Sequence, residues 1–186
     1  MQRDLVIRAS SGDHDAFASL ATAAYGRLHR TAQLILRRED LASDAVQEAL
    51  MSAWVHIRAV RDPDRFDAWL NRLVVRASYQ ELRRAKGGPI QLEVEVDAVT
   101  GPGIDDAAGA LADRDQLERG FLHLSIEHRA VLAVHHYLGL PDAEAATVLD
   151  VPIGTYKSRL NRAHSTLRAA LEADARVTGI GQESIA

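Results

Sequence analysis

Cysteine is absent from the 186 residues of this chain, which excludes disulfide bonds, thiolate zinc sites and cysteine nucleophiles. The sequence has no run of 18 apolar residues and therefore contains no candidate transmembrane helix. No apolar segment of the signal-peptide type follows residues 1–4. We therefore expect a cytoplasmic protein.

Motifs for catalysis and for cofactor binding are also missing. We find neither a nucleophile–base arrangement nor a phosphate-binding loop. The histidines His123, His128, His135 and His136 form no i, i+4 pair backed by a carboxylate, so we interpret them as ordinary surface or core residues. The sequence thus predicts no catalytic residue, no metal, no cofactor and no small-molecule substrate.

The acidic charge is concentrated in the middle of the chain. The formal net charge is −4, yet residues 1–86 carry 14 basic and 11 acidic side chains. Residues 87–120 carry 2 basic and 8 acidic ones, and residues 90–110 contain no aromatic residue. This composition favours a flexible acidic linker. The alternation of apolar residues between Ile90 and Val96 leaves a brief extended segment as the alternative.

The rest of the chain has the periodicity of helices. Apolar residues at a spacing of three to four predict one long helix from about Asp13 to Arg38 and another from Leu41 to Ile57. A polar loop over residues 58–65 precedes a third long helix from Phe66 to about Arg84. Helical patterns resume over residues 112–122 and after Ser125, a candidate N-cap. The fold class is therefore all-α.

A helix-turn-helix pattern lies near the end of the chain. A short helix from Asp142, its candidate N-cap, to Leu149 is followed by a tight turn and a second helix with Pro152 at its first position. From Ile153 to Arg168 this second helix has four Lys or Arg and no Asp or Glu, which suits contact with phosphates. Two core helices with a solvated charged face remain the alternative. The tail after Ala175 is expected to fray.

Two stretches of this sequence resemble one protein family. The segments 44–54 (DAVQEALMSAW) and 66–73 (FDAWLNRL) resemble region 2 of bacterial sigma-70 factors, and 151–160 (VPIGTYKSRL) resembles region 4. With no other sigma region present, the chain resembles an extracytoplasmic-function (ECF) sigma factor over about residues 4–86 and 112–171. Asp150 stands where the family often has Gly, and His164 stands where a further Arg is common.

The resemblance implies two small helical domains joined by the acidic linker. Region 2 would occupy residues 1–86, the linker 87–111, region 4 residues 112–175 and a tail 176–186. The implied partners are promoter DNA and core RNA polymerase, through the clamp helices of its β′ subunit and its β flap. An anti-sigma factor is a further implied partner.

The resemblance also implies three sets of binding residues. The set for core polymerase is Asp44, Gln47 and Glu48. The set for the −10 element, with a loop that captures a flipped base, is Arg61, Asp62, Asp64, Arg65, Asn71, Arg72 and Arg76. The set for the −35 element is Thr155, Lys157, Ser158, Arg159, Asn161 and Arg162, in which Thr155 and Arg159 would contact phosphates.

The sequence therefore predicts a sigma factor that directs promoter recognition, DNA opening and transcription initiation, and that is not itself an enzyme. Two alternatives stay open. A stand-alone helix-turn-helix regulator would dimerise on palindromic half-sites without polymerase. A helical interaction protein with a purely structural C-terminal motif would show no salt-dependent affinity for DNA.

Overall fold

The computed structural model describes residues 1–85 and 116–183, with side chains up to residue 175. All regular elements in these ranges are helical. The N-terminal half contains α1 (Gln2–Ser10), α2 (His14–Leu36), α3 (Glu39–His56) and α4 (Phe66–Ala85). The C-terminal half contains α5 (residues 116–122), α6 (Ile126–Leu132), a π-helical turn (Ala133–Tyr137), α7 (Asp142–Val148) and α8 (Ile153–Glu183). The predicted all-α class is confirmed.

The N-terminal half is a bundle in which α3 packs on both α2 and α4. The apolar stripes predicted for these helices lie inside it: Leu28, Val46, Leu70 and Ala77 are all buried. The start of α2 is fixed by Asp13, whose carboxylate accepts a hydrogen bond of 3.0 Å from the backbone N–H of Ala16. The bundle therefore follows from helical periodicity and from one predicted cap.

The C-terminal half is built around α8, which packs on α6 and α7. Ser125 caps α6 as predicted, accepting a hydrogen bond from the backbone N–H of His128 at 3.3 Å. A glycine allows the close approach of α5 to α8, because a Cβ atom at Gly120 would lie only 2.9 Å from side-chain carbons of Leu167 and Leu171. Helices α5 and α6 therefore pack against α8, the second helix of the helix-turn-helix.

Three local predictions need correction. Asp142 is the first residue of α7 and makes no capping hydrogen bond, because Pro141 occupies the N-cap position. Pro152 precedes α8 and accepts the N–H of Tyr156 at 3.0 Å with its carbonyl. The backbone of α8 runs to Glu183, so the predicted frayed tail is helical over most of its length.

The predicted acidic linker and its alternative extended segment, 90–96, lie outside the described residues. The two halves that it joins touch each other directly in the structure. Helix α2 contacts α6 and the π-helical turn, and α4 contacts α7. None of the described helices is both long enough and apolar enough to cross a membrane.

Candidate nucleic-acid and protein interfaces

One side of α8 is an exposed polar and cationic face. Lys157, Ser158, Asn161 and Arg162 are exposed on it. The opposite side, with Tyr156, Leu160 and Ala163, is buried against the rest of the C-terminal half. Lys and Arg side chains pair with phosphates or with guanine, and Asn pairs with adenine, so this face has the chemistry of a major-groove reader. Four of the six residues predicted for the −35 element are therefore together and accessible.

The turn before α8 sets the direction of this face. Asp150 adopts a left-handed backbone conformation with φ of 56°. The N–H of Val151 then donates to the carbonyl of Ala146 at 3.1 Å. Behind the turn, the hydroxyl of Tyr156 shares a 2.9 Å hydrogen bond with Nδ1 of His135. Burial and, to a lesser extent, the charge of Asp142 together raise the pKa of Tyr156 to about 12, so the phenol stays protonated at neutral pH.

The other two residues of the predicted −35 set, Thr155 and Arg159, are half-buried. The carbonyl of Thr155 accepts a 2.9 Å hydrogen bond from the hydroxyl of Ser158. Arg159 lies near Tyr79 of α4 and opposes the rise in the pKa of that phenol, which burial and Glu127 together bring to about 12. The charge of Arg159 therefore acts on a buried group of the N-terminal half.

The nearest described acid to the α8 face is Asp142 at the start of α7, whose carboxylate lies 3.7 Å from Nζ of Lys157. Both side chains are substantially exposed, so this ion pair is weak and can exchange for a phosphate.

A second exposed face lies on α3 and carries the residues predicted to contact polymerase. Asp44 and Gln47 are exposed and Glu48 is half-buried. Two large apolar residues extend the same face, because Met51 is 59% exposed and Val55 is 69% exposed. Sequence reasoning missed both, although the spacing 44, 48, 51, 55 is that of a single helical face. Exposed apolar side chains beside carboxylates suit a partner protein better than DNA.

The loop predicted to contact the −10 element is ordered by its own acids. The carboxylate of Asp62 accepts the backbone N–H of Asp64 at 3.1 Å and lies 3.6 Å from Nε of Arg65. Asp64 forms an ion pair with Arg3 of α1. Arg61 and Arg65 remain exposed. Asp62 and Asp64 therefore stabilise the conformation of the loop, whereas Arg61 and Arg65 are accessible to a ligand.

The three remaining candidates for the −10 element lie on α4 and differ in how far they are exposed. Arg76 is exposed, whereas Arg72 is half-buried and its Nε atom is buried with no hydrogen-bond partner among the described residues. Asn71 is only 2% exposed, and its amide oxygen accepts a 3.1 Å hydrogen bond from Arg27 of α2. Arg27 also pairs with Asp67 at 2.7 Å. Asn71 is therefore a helix-packing residue here, which corrects its placement at the DNA surface.

Two of the four histidines that sequence analysis treated as ordinary, His135 and His136, come together with His164 of α8. The Nε2 atoms of His136 and His164 are 2.8 Å apart, and the ring of His135 lies 4.7 Å from that of His136. Burial, together with the neighbouring His135 and His164, lowers the pKa of His136. In the described ranges no group of three or more His, Asp or Glu is arranged to hold a metal ion. The cluster is a hydrogen-bonded contact between the π-helical turn and α8.

Comparison with known proteins gives matches in both halves. The sigma-70 region 2 family model matches residues 20–87, and the sigma-70, region 4 model matches residues 114–167. The ECF RNA polymerase sigma factor SigM of Mycobacterium tuberculosis is 33% identical, over 87% of this chain and 80% of its own length. SigW of Bacillus subtilis is 25% identical, over 92% of this chain and 97% of its own length.

A solved structure extends the similarity to the whole fold. CnrH, in complex with the cytosolic domain of CnrY, aligns with a TM-score of 0.64 and 27% identity. The alignment covers 93% of this chain and 98% of that chain. The family models, the relatives and the fold agree with the resemblance carried by residues 44–54, 66–73 and 151–160. This chain belongs to the sigma-70 family of bacterial sigma factors and to its ECF group.

Proposed function

We propose that this chain binds core RNA polymerase through α3 and directs it to promoters through α8 and the N-terminal half. The sigma factor supplies recognition and DNA opening, whereas the chemistry of RNA synthesis belongs to the polymerase. Since bacterial polymerase works in the cytoplasm, we place the chain there. The observation that carries this proposal is the pair of separate exposed faces, an acidic and apolar one on α3 and a cationic one on α8, whose residues 153–168 contain no acid.

For the −35 element, the proposed contacts to bases are Lys157, Ser158, Asn161 and Arg162. All four are exposed on one side of α8. Thr155 and Arg159 are proposed phosphate contacts, and Arg159 must first leave its position near Tyr79. Phosphate contacts fix the register of a helix in the groove, and base contacts determine the sequence preference.

For the −10 element, the proposed contacts are Arg61, Arg65, Arg72 and Arg76. Asp62 and Asp64 are assigned a different role, because their hydrogen bond and ion pair hold the loop in shape. A loop that is already ordered loses less conformational entropy when it binds an extruded base. Capture of the base then favours opening of the duplex.

For core polymerase, the proposed contacts are Asp44, Gln47 and Glu48, joined by Met51 and Val55. A basic helix of the partner would pair with the acids, and the apolar side chains would be buried at the centre of the contact. Because the similar structure of CnrH is a complex with the cytosolic domain of CnrY, we also propose an anti-sigma factor as a partner.

Run-off transcription with purified core polymerase on a library of promoter fragments tests the proposal. Initiation that depends on this chain and starts from a shared two-box sequence is the expected result. The double variant Lys157→Ala/Arg162→Ala should lower transcription from −35-dependent promoters at least tenfold, since each base contact contributes about 1–3 kcal/mol. Its affinity for core polymerase should stay unchanged.

Variants of α3 should show the opposite pattern. Gln47→Ala and Glu48→Ala should weaken binding to core polymerase while the fold stays intact. Gln80→Ala, an exposed glutamine on α4, is the matched control and should bind normally. If folded wild-type protein fails to bind core polymerase, the sigma proposal is wrong and the stand-alone DNA-binding regulator replaces it.

A further inference from the structure

A carboxylate stands beside the cationic face of α8. Asp142 is the first residue of α7, and its Oδ2 atom lies 3.7 Å from Nζ of Lys157. Its Oδ1 atom lies 3.8 Å from Nδ1 of His135, in the π-helical turn. His135 is in turn hydrogen-bonded to the hydroxyl of Tyr156 at 2.9 Å. The carboxylate therefore lies between the π-helical turn and the first turns of α8.

The cation that faces this carboxylate is of an unusual type for this chain. Lys157 and Lys86 are the only lysines among the 22 Lys and Arg residues. An ε-ammonium group is a compact charge with three N–H donors, and it pairs with a phosphate in any base sequence. Phosphate contacts position a protein on DNA but carry no sequence information. A lysine on a DNA-reading face therefore adds affinity for all DNA unless its contacts are restricted.

The carboxylate of Asp142 changes which partners Lys157 accepts. A phosphate that approaches the ammonium also approaches Asp142 and meets a like charge, which costs free energy. The O6 and N7 atoms of guanine are uncharged acceptors, so the ammonium can donate one N–H to a base and keep another directed at the carboxylate. Since the ion pair is exposed and weak, it shifts the balance between these partners and blocks neither.

Stabilisation of α7 alone is the competing explanation. An acid in the first turn of a helix interacts favourably with the helix dipole. Glu144 lies in the same first turn and can serve that purpose equally well. The dipole therefore does not explain a carboxylate placed against a cation of the DNA-reading face, where a negative charge weakens affinity for DNA.

We propose that Asp142 is a specificity-determining residue that acts through Lys157, directing the ammonium to bases of the −35 element and disfavouring phosphates of other DNA. Specificity is a difference between two affinities, and a repulsive element against the wrong partner increases it. The inference rests on the proposed function, because it assumes that α8 reads the −35 element. The ion pair itself lies within the C-terminal half, so its effect on random DNA can be measured without polymerase.

Binding of the full chain to a random-sequence duplex, between about 50 and 200 mM salt, measures the restraint on phosphate contacts. Asp142→Asn keeps the shape of the side chain and removes its charge. This variant should bind about fivefold more tightly at the lowest salt, and the slope of log affinity against log salt should steepen by about 0.9, as one further phosphate contact requires. Asp142→Glu keeps the carboxylate and should bind as the wild type does.

Two controls separate the ion pair from a general effect of charge. Glu144→Gln removes a charge from the same turn at an exposed position and should leave the affinity for random DNA unchanged. In a Lys157→Ala background, Asp142→Asn should no longer raise that affinity. A rise of equal size in either control would overturn the proposal. Equal affinities of Asp142→Asn and the wild type, including no measurable binding by either, would also overturn it.

Transcription by the holoenzyme measures specificity itself. The two-box promoter recovered by run-off transcription is compared with the same fragment carrying a scrambled −35 box. Asp142→Asn should lower the ratio of transcripts from the two fragments about fivefold, and Asp142→Glu should restore it. An unchanged ratio would overturn the proposal. If the chain directs no initiation at all, the −35 role falls together with the proposed function, whereas the result with random DNA stands by itself.

Discussion

At the scale of single residues, Tyr156 has the largest fully buried side chain of the described core. Its hydroxyl is paired with His135 at 2.9 Å, and this bond ties the first turn of α8 to the π-helical turn. Tyr156→Phe keeps the ring and deletes the bond, leaving a histidine nitrogen without its partner. The free energy of unfolding should fall by about 1 kcal/mol.

Thermal denaturation measures this loss. The control is Tyr137→Phe, since Tyr137 is 43% exposed and its change should stay within about 0.5 kcal/mol. Equal stability of Tyr156→Phe and the wild-type protein would show that the hydroxyl is satisfied in some other way in solution.

At the scale of elements, the turn between α7 and α8 contains a strained residue. Asp150 has a φ of 56°, a region in which a side chain of L-configuration costs about 1–2 kcal/mol and Asp somewhat less. Asp150→Gly removes that cost at the expense of greater freedom in the unfolded chain. We expect a net gain in stability of about 0.5–1 kcal/mol from Asp150→Gly.

Two further variants separate the backbone effect at this turn from the loss of charge. Asp150→Asn removes the carboxylate but keeps a side chain that tolerates the left-handed region, so its stability should stay near that of wild type. Asp150→Ala should be less stable than wild type. Denaturant midpoints of the three variants give the comparison, and a destabilised Asp150→Gly would contradict the assignment of strain to this position.

At the scale of the whole molecule, stability should decline in mildly acidic solution. Burial lowers the pKa values of His128 and His136 below the ordinary value of 6.5. The unfolded chain therefore binds more protons than the folded chain as the pH falls below 6.5, and the folded state loses stability there. A second decline should follow nearer pH 3.8, because the pKa values of Asp13 and Asp174 are lowered by their hydrogen-bond partners.

Chemical denaturation between pH 8 and pH 3 checks both steps. His128→Gln/His136→Gln should flatten the first step and leave the second, while matching the wild-type pH dependence above pH 7. A first step of unchanged size in the double variant would assign it to other groups.

Sequence prediction succeeded for features that depend on neighbouring residues in one helix. It failed for features that depend on contacts with residues far away in the sequence. The buried stripe of Tyr156, Leu160 and Ala163 follows from spacing along one helix, and the exposed face opposite it follows as well. Asn71 shares α4 with exposed Arg76, yet it is buried because Arg27 of α2 reaches it. Periodicity within α4 alone could not identify that partner, which lies 44 residues away in sequence.

The sequence by itself determined the helices, the cationic face of α8, the acidic face of α3 and the membership of the family, because each depends on residues close together in the chain. Tertiary structure decided which candidates are accessible: it buries Asn71, partly buries Arg159, and brings His136 to His164. The physical reason is that burial and electrostatic energy depend on neighbours in space, and only packing of the two halves selects those neighbours.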